Sequence, residues 1–457
     1  MASQLRRSRL VPRTIALATG IAALVALTAC SAGSAAPGDN SSSDYGFETV
    51  EQDASAPITV WVDSSREPIA KAFQAANPDI TVNIETYDGN SGGSDSFKTK
   101  IALFDQSDSG WPDVVFSTQQ NDTSWTSVSN NGGKPFAAVL NKGLLSDDFL
   151  NGFTKGALDP MTVDGNVFGV RNDLAPVVYW YNDALMKEFG YDVPQTWEDY
   201  EALSDKVAEE HPGYILGSVG DSFQGPYIYY WGGEAPIFQV KDGAFTSDFS
   251  DPNSEKVTEL LDHMIANKTL VNDSVFGAEF VQKYGDKILG MPGPAWYSGA
   301  LFQNKDSLNS PAGTIGASAP LYWDGSDKVT GNVGGGVWYG SSHSTNLEAV
   351  AKLLEFVTSS DDAVKLASGL PAYDSAAKTW LDQQAGSGYY VGDFASAVST
   401  AASSVWSGWG YPSFSVETAY ASVVIPGISD GKTMAELVPA LQKEYENQAT
   451  VQGYTVN

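Results

Sequence analysis

An α/β fold built on parallel strands is predicted by three features of the sequence. Ile58-Thr59-Val60-Trp61-Val62 reads as a buried strand, Ile69, Ala70, Phe73 and Ala76 then recur at helical spacing, and Ile80 to Tyr87 alternates as a second strand. Strand, helix and strand in that order form a β-α-β unit, which favours a parallel sheet. Pro68 suits the first helical turn, and Asn77-Pro78 ends that helix.

The remaining elements follow in order. A helix is expected over 96–104, and Trp111-Pro112-Asp113-Val114-Val115-Phe116 forms a short strand that ends in the polar run 117–121. A strand near 177–181 leads into a helix over 183–189. Thr196 is placed to cap the next helix, with Trp197, Tyr200, Leu203 and Val207 on its inner face. Amphipathic helices are expected near 254–266 and 347–357, and Thr433 with Glu436 forms a capping box for the last one. No tandem repeat is present.

The N-terminus carries an export signature. Arg6, Arg7, Arg9 and Arg13 form a positive region, and residues 15–27 form an uncharged stretch rich in Ala and Leu. That stretch is shorter than the roughly 20 residues a membrane-spanning helix needs but suits a signal peptide. It ends in Leu27-Thr28-Ala29-Cys30, which resembles the lipobox of bacterial lipoproteins; the resemblance implies cleavage before Cys30 and lipid on its sulfur. Residues 1–29 are then the signal peptide. Residues 30–56, rich in Ser, Ala, Gly and acids, are expected to be a flexible tether. The alternative is an ordinary secretory signal in which Cys30 falls by chance. Cys30 is the only cysteine among 457 residues, so no disulfide forms within the chain.

Composition narrows the function. The net charge is −29, and more negative once the four leader arginines are removed. Such a surface repels nucleic acid and anionic lipid. Outside the leader only Arg66 and Arg171 remain, which argues against a phosphate or nucleic-acid ligand, since both recruit arginine forks. His211, His263 and His343 are far apart and show no metal-ligand spacing, so no metal or cofactor is expected. Aromatics are abundant, and several sit beside Gly, Pro or polar residues, as in Trp406-Ser407-Gly408-Trp409-Gly410-Tyr411. Aromatics in loops offer flat apolar faces to a ligand.

The order of segments resembles the extracellular solute-binding proteins of bacterial ABC importers, the family that includes maltose-binding protein. The landmarks are Ile58-Thr59-Val60-Trp61, Phe73 to Ile80, Pro112-Asp113-Val114-Val115, Val177 to Asp183 followed by Pro194-Gln195-Thr196-Trp197-Glu198, Gly293-Pro294-Ala295-Trp296, and Gly334-Gly335-Gly336 before 341–346. The resemblance implies a two-lobed periplasmic-binding-protein fold of the crossover-hinged type II, with a ligand cleft between the lobes. Crossovers are then expected near 175–179, 310–315 and 368–373. Lobe one would combine 57–175 with 315–368, and lobe two 180–312 with 371–457. It also implies a carbohydrate ligand, an oligosaccharide above all, a membrane permease as partner with a separate ATPase, and a monomeric receptor with no catalytic role.

Sugar recognition needs aromatic faces for pyranose C–H groups and fixed donors and acceptors for hydroxyls, because unpaired buried polar groups cost roughly 1–3 kcal/mol each. By resemblance Trp296 is the cleft tryptophan. Asp63, Ser65 and Arg66 follow the first strand, Gln119 and Gln120 follow the third landmark strand, and Arg171, Asn172 and Asp173 precede the first crossover. Asp221 and Phe223 fall where the family places second-lobe contacts. Trp338 follows the triple glycine, and Trp406, Trp409 and Tyr411 occupy the Gly/Ser-rich loop, which has no clear counterpart in the maltose-binding pattern. The structural alternatives are a core role for Trp296 and Trp338, a helix-start role for Arg66, a plain polar turn at 119–120 and an ion pair for Arg171.

Two Gly-x-Ser-x-Gly matches, at 89–93 and 427–431, are read as a loop and a turn and not as nucleophile elbows. Two other readings stay open: the same fold holding a non-sugar solute such as a polyamine, and a lipid-anchored glycoside hydrolase, since the spatial pairing of carboxylates is invisible in sequence.

Overall fold

The computed structural model describes residues 45–87, 93–129, 133–241 and 243–457. The signal peptide, Cys30 and residues 31–44, together with 89–92 of the first Gly-x-Ser-x-Gly match, lie outside the described residues.

Lobe one is organised by a five-stranded sheet in the spatial order Val82–Thr86, Ile58–Val62, Val114–Ser117, Val337–Gly340, Val170–Arg171. The first three strands pair in parallel, with Val60 opposite both Ile84 and Val114, as the β-α-β pattern requires. Val337–Gly340 joins antiparallel to Val114–Ser117. The helix Glu67–Ala76 buries Ile69, Ala70 and Phe73. Together with the helix Leu347–Ser359, whose Leu353 and Leu354 are fully buried, it covers one face of the sheet.

Lobe two is organised by a four-stranded sheet in the order Gly290–Pro294, Val177–Asn182, Ile315–Ser318, Tyr390–Val391. Its larger core gathers Trp197, Tyr200, Tyr229, Tyr230, Trp231 and Trp409 with the apolar faces of the helices Pro252–Ala266 and Met434–Val451. The helix Trp197–Glu210 starts as its sequence requires: Thr196 Oγ1 accepts from Asp199 N at 3.0 Å, and Asp199 Oδ2 accepts from Thr196 N at 3.3 Å. Thr433 and Glu436 repeat that box at the final helix.

Three expectations need correction. Ile315–Ser318 does not return the chain to lobe one. It pairs antiparallel with Val177–Asn182, and Leu321, Trp323 and Val333 beyond it stay in the lobe-two core. The return takes place at Asn332–Gly336, where Gly334 and Gly335 adopt φ of 76° and 91°, a region open to glycine. Residues 45–56 are not free tether: Tyr45 and Phe47 pack on the lobe-one core, Gly46 N donates to Lys142 O at 2.7 Å, and Gln52 bridges Ser344 O and Leu347 N. The two aromatics supply the apolar surface that a free tether lacks. Finally, Gly427 of the second Gly-x-Ser-x-Gly match is not in a turn. It lies inside the helix Val416–Ser429, closely packed under Leu437. No described helix is long and apolar enough to cross a membrane.

Thr196→Ala should lower stability by about 1 kcal/mol through loss of the cap, read as a shift in the urea midpoint at unchanged slope.

Candidate functional site

Where chain segments pass between the lobes, they frame a cleft of about 860 Å³, within the roughly 300–1,000 Å³ of small-molecule sites. Three groups of residues line it. Lobe one contributes the turn Asp63–Arg66, Tyr87, Thr118 and Gln119; the crossing segments contribute Asp173, Val333–Gly336 and Ser368; lobe two contributes Asp221–Phe223, Tyr227, Ser274, Phe276, Trp296, Asn304 and Glu417. The lobe-one groups sit just beyond the carboxyl ends of parallel strands, the usual binding edge of such a sheet.

The polar side is held rigidly. Asp63 Oδ1 accepts from Arg66 N at 2.8 Å and Oδ2 from Arg66 Nη1 at 3.1 Å, so the turn is fixed before its helix begins. The Arg66 guanidinium lies over the Phe116 ring, 4.5 Å from its centroid. Tyr87 donates its hydroxyl to Phe116 O, and its burial pushes the phenol pKa well up. Asp173 Oδ1 accepts from Asn172 Nδ2 and Gly336 N.

The lobe-two side is aromatic. Trp296 donates Nε1–H to Val333 O at 2.9 Å, which fixes the plane of its indole against the hinge. Phe276 stacks on it at 6.1 Å and 19°, and Phe223 tilts against it at 5.8 Å and 59°. Phe276 is 45% exposed, a large apolar face left open in a cleft. Asp221 beside this platform accepts from Ser274 Oγ at 2.5 Å and Val275 N at 2.9 Å; burial raises its carboxyl pKa, partly offset by those bonds. Glu417 is 6% exposed and accepts from Ser415 Oγ at 3.1 Å; burial raises its pKa also.

The structure thus brings together Asp63, Ser65, Arg66, Gln119, Asp173, Asp221, Phe223 and Trp296 on one cleft. The other candidates lie off its wall. Arg171 is 4% exposed and points inward, with Nε on Asp173 O at 3.0 Å and Nη2 on Gln120 Oε1 at 3.0 Å and Gly334 O at 2.9 Å. Asn172 accepts from Trp338 Nε1 at 2.9 Å, and Trp338 is fully buried in the lobe-one core. Trp409 is buried in stacked contact with Trp231 at 4.8 Å, and its Nε1 donates to Ala235 O. Trp406 packs on the same core and accepts Trp231 Nε1–H at its carbonyl. Gln120, Trp409 and Tyr411 border only a recess of about 10 Å³ beside the cleft. These loop aromatics turned inward because Trp231 and Phe238 offer them apolar partners.

Sequence reasoning missed Tyr87, Tyr227, Phe276 and Glu417. Phe276 carried a usable signal, an aromatic next to polar Ser274 and Gly277; Glu417 reads only as an acid in a first helical turn. Among the described residues no cluster of His, Cys, Asp or Glu is placed to hold a metal ion.

The model of the family described as bacterial extracellular solute-binding protein matches residues 68–402. The chain belongs to that family. Curated relatives of this solute-binding protein include an osmoprotective compounds-binding protein of Synechocystis, 24% identical over 60% of this chain and 62% of the relative. An arabinooligosaccharide-binding protein of Halalkalibacterium halodurans is 26% identical over 34% of this chain and 36% of the relative. The alignments with these relatives thus span between about a third and three fifths of their length. Among solved structures, the galacto-N-biose/lacto-N-biose I-binding protein of Bifidobacterium longum, in complex with lacto-N-biose, superposes with TM-score 0.72 at 18% identity, covering 89% of this chain and all of that one. The acarbose-binding receptor of Streptomyces glaucescens gives 0.66 at 16% identity, covering 88% and 100%. These likenesses establish the two-lobed fold.

Arg171→Ala takes the guanidinium from Asp173 O, at about 1–3 kcal/mol, whereas Gln120 Oε1 and Gly334 O each lose one donor and keep Asn332 Nδ2. Chemical unfolding should therefore show a loss of about 1–3 kcal/mol; stability within about 0.5 kcal/mol of wild type would return Arg171 to the ligand.

Proposed function

We propose that this solute-binding protein is the receptor of an ABC importer for a carbohydrate, an oligosaccharide above all, held on the outer face of the membrane by lipid on Cys30. The observation that carries the ligand class is the pairing, across one cleft, of an aromatic platform with a fixed polar arc. Phe223, Phe276 and Trp296 offer ring faces to pyranose C–H groups. Asp63, Arg66, Gln119, Asp173, Asp221 and Glu417 surround them with oriented donors and acceptors. The ligand-bound structures of lacto-N-biose- and acarbose-binding relatives, on the same fold, support the reading.

A ligand shifts the lobes toward closure only by the difference in its affinity for the two arrangements, so groups on both lobes must touch it. A permease that recognises the closed form then receives sugar only from loaded receptors. The ATPase is assigned to another subunit.

A thermal-shift screen against mono- and oligosaccharides, including lacto-N-biose, β-1,6-galactobiose and acarbose, tests the ligand class. A saccharide present at 100 times its Kd should stabilise the protein by about 2.7 kcal/mol. Trp296→Ala should weaken the best ligand by roughly 1–3 kcal/mol, and an unchanged Kd removes Trp296 from the site. Cys30→Ser should release a protein that binds with wild-type affinity but supports uptake poorly; continued retention on the membrane argues against the lipid anchor.

A further inference from the structure

The lining of the cleft is not uniformly open. Phe276, which lines it, is 45% exposed, whereas Glu417 is 6% exposed. Around Glu417 the lobes are in direct contact. Glu417, whose carboxyl accepts from Ser415 Oγ at 3.1 Å, and Tyr227 of its own lobe share one narrow recess with Gln119 from lobe one. Two residues along, Asn121 Nδ2 donates to Pro412 O at 2.6 Å and to Phe414 O at 3.3 Å. Both carbonyls belong to the loop of lobe two that leads into the helix Val416–Ser429. Between the two loops only about 10 Å³ remains, at the lower limit for a single water. No sugar chain passes through that seam.

We propose that Gln119, Asn121 and Glu417 form an end wall that makes the cleft blind on this side, so that the site selects a free terminal unit of an oligosaccharide and excludes the interior of a polymer. The selectivity rests on the carbohydrate reading above; the wall itself does not. A pyranose lying on the Trp296 platform and reaching the wall meets a buried carboxyl whose partners are fixed, an acceptor for hydroxyls that an end unit presents and a chain-extended unit does not. The bonds from Asn121 Nδ2 to Pro412 O and Phe414 O also tie lobe one to lobe two.

Two measurements test this. For the wall, spin labels on Thr86→Cys and Lys305→Cys, both exposed and on opposite lobes, report the interlobe distance in the ligand-free chain carrying Cys30→Ser. The Gln119→Ala/Asn121→Ala double variant should move the distance distribution to longer values by more than the wild-type width, and Glu417→Gln, which keeps the shape of the buried group, should broaden it. Unchanged distributions in both variants overturn the wall. For the selectivity, the thermal shift of the wild type is compared between maltotriose and amylose, and between β-1,6-galactobiose and its polymer, at equal sugar mass. The short saccharide should give the larger shift, and the double variant should narrow the difference. An equal or larger shift with polymer overturns end selection. If no saccharide shifts the wild type, the carbohydrate reading falls and end selection with it, while the distance measurement still decides the wall.

Discussion

Arg171 places a full positive charge where almost no water reaches it. A buried cation is stable only if protein dipoles replace its hydration, since the effective penalty otherwise reaches several kcal/mol. The dipoles come from three places: the carbonyl of Asp173 on the first crossing segment, the carbonyl of Gly334 on the second, and the side-chain oxygen of Gln120 on the lobe-one loop. One side chain therefore fixes how the crossing segments lie against each other. Gly335 shows the tightness of that arrangement, for a Cβ there would collide with the guanidinium. Asn332 adds to the same node by donating to Gln120 Oε1 and Gly334 O.

The cleft inherits its geometry from this node. Trp296 is oriented by Val333 O, one residue before Gly334, so the aromatic platform is registered to the hinge. Asp173, whose carbonyl Arg171 holds, turns its carboxylate toward Gly336 N and the cleft. Gln119 precedes the residue that Arg171 grips and borders the same recess as Glu417 of the opposite lobe. The acceptor that orients Trp296, the Asp173 carboxylate of the polar arc and the interlobe donor Asn121 are thus each within one or two residues of a group bound to Arg171. That arrangement suits a receptor, because movement at the crossing segments is felt at once by the groups that line the cleft.

How far this could be read from sequence varied with the range of the interaction. Local signals held: Thr196 and Thr433 form capping boxes, and Ile58–Val62 with Val82–Thr86 forms a parallel pair. Signals that depend on a distant partner did not. The residues of Ile315–Ser318 do not themselves say which lobe they join; pairing with Val177–Asn182 decides it. Trp406 and Trp409 sit among glycines, which suggests an exposed loop, yet Trp231 lies some 175 residues away in sequence and draws them inside. The rarity of Arg171 was legible; its inward direction was not, because the acceptors are backbone carbonyls, which every residue type carries. Phe276 carries only the mark of an aromatic among small and polar neighbours, and Glu417 only that of an acid in a first helical turn, so neither signal by itself specifies a place on the cleft.

The central claim is that one solute is held by both lobes at once, between the Trp296 platform and the polar arc. Hydrogen exchange followed peptide by peptide, with and without a saccharide that stabilises the protein, tests it most directly. Protection should rise together in 63–66, 118–121, 221–227, 274–276 and 296–304, with the crossing segments included. Protection confined to one lobe, or centred away from these segments, would contradict it.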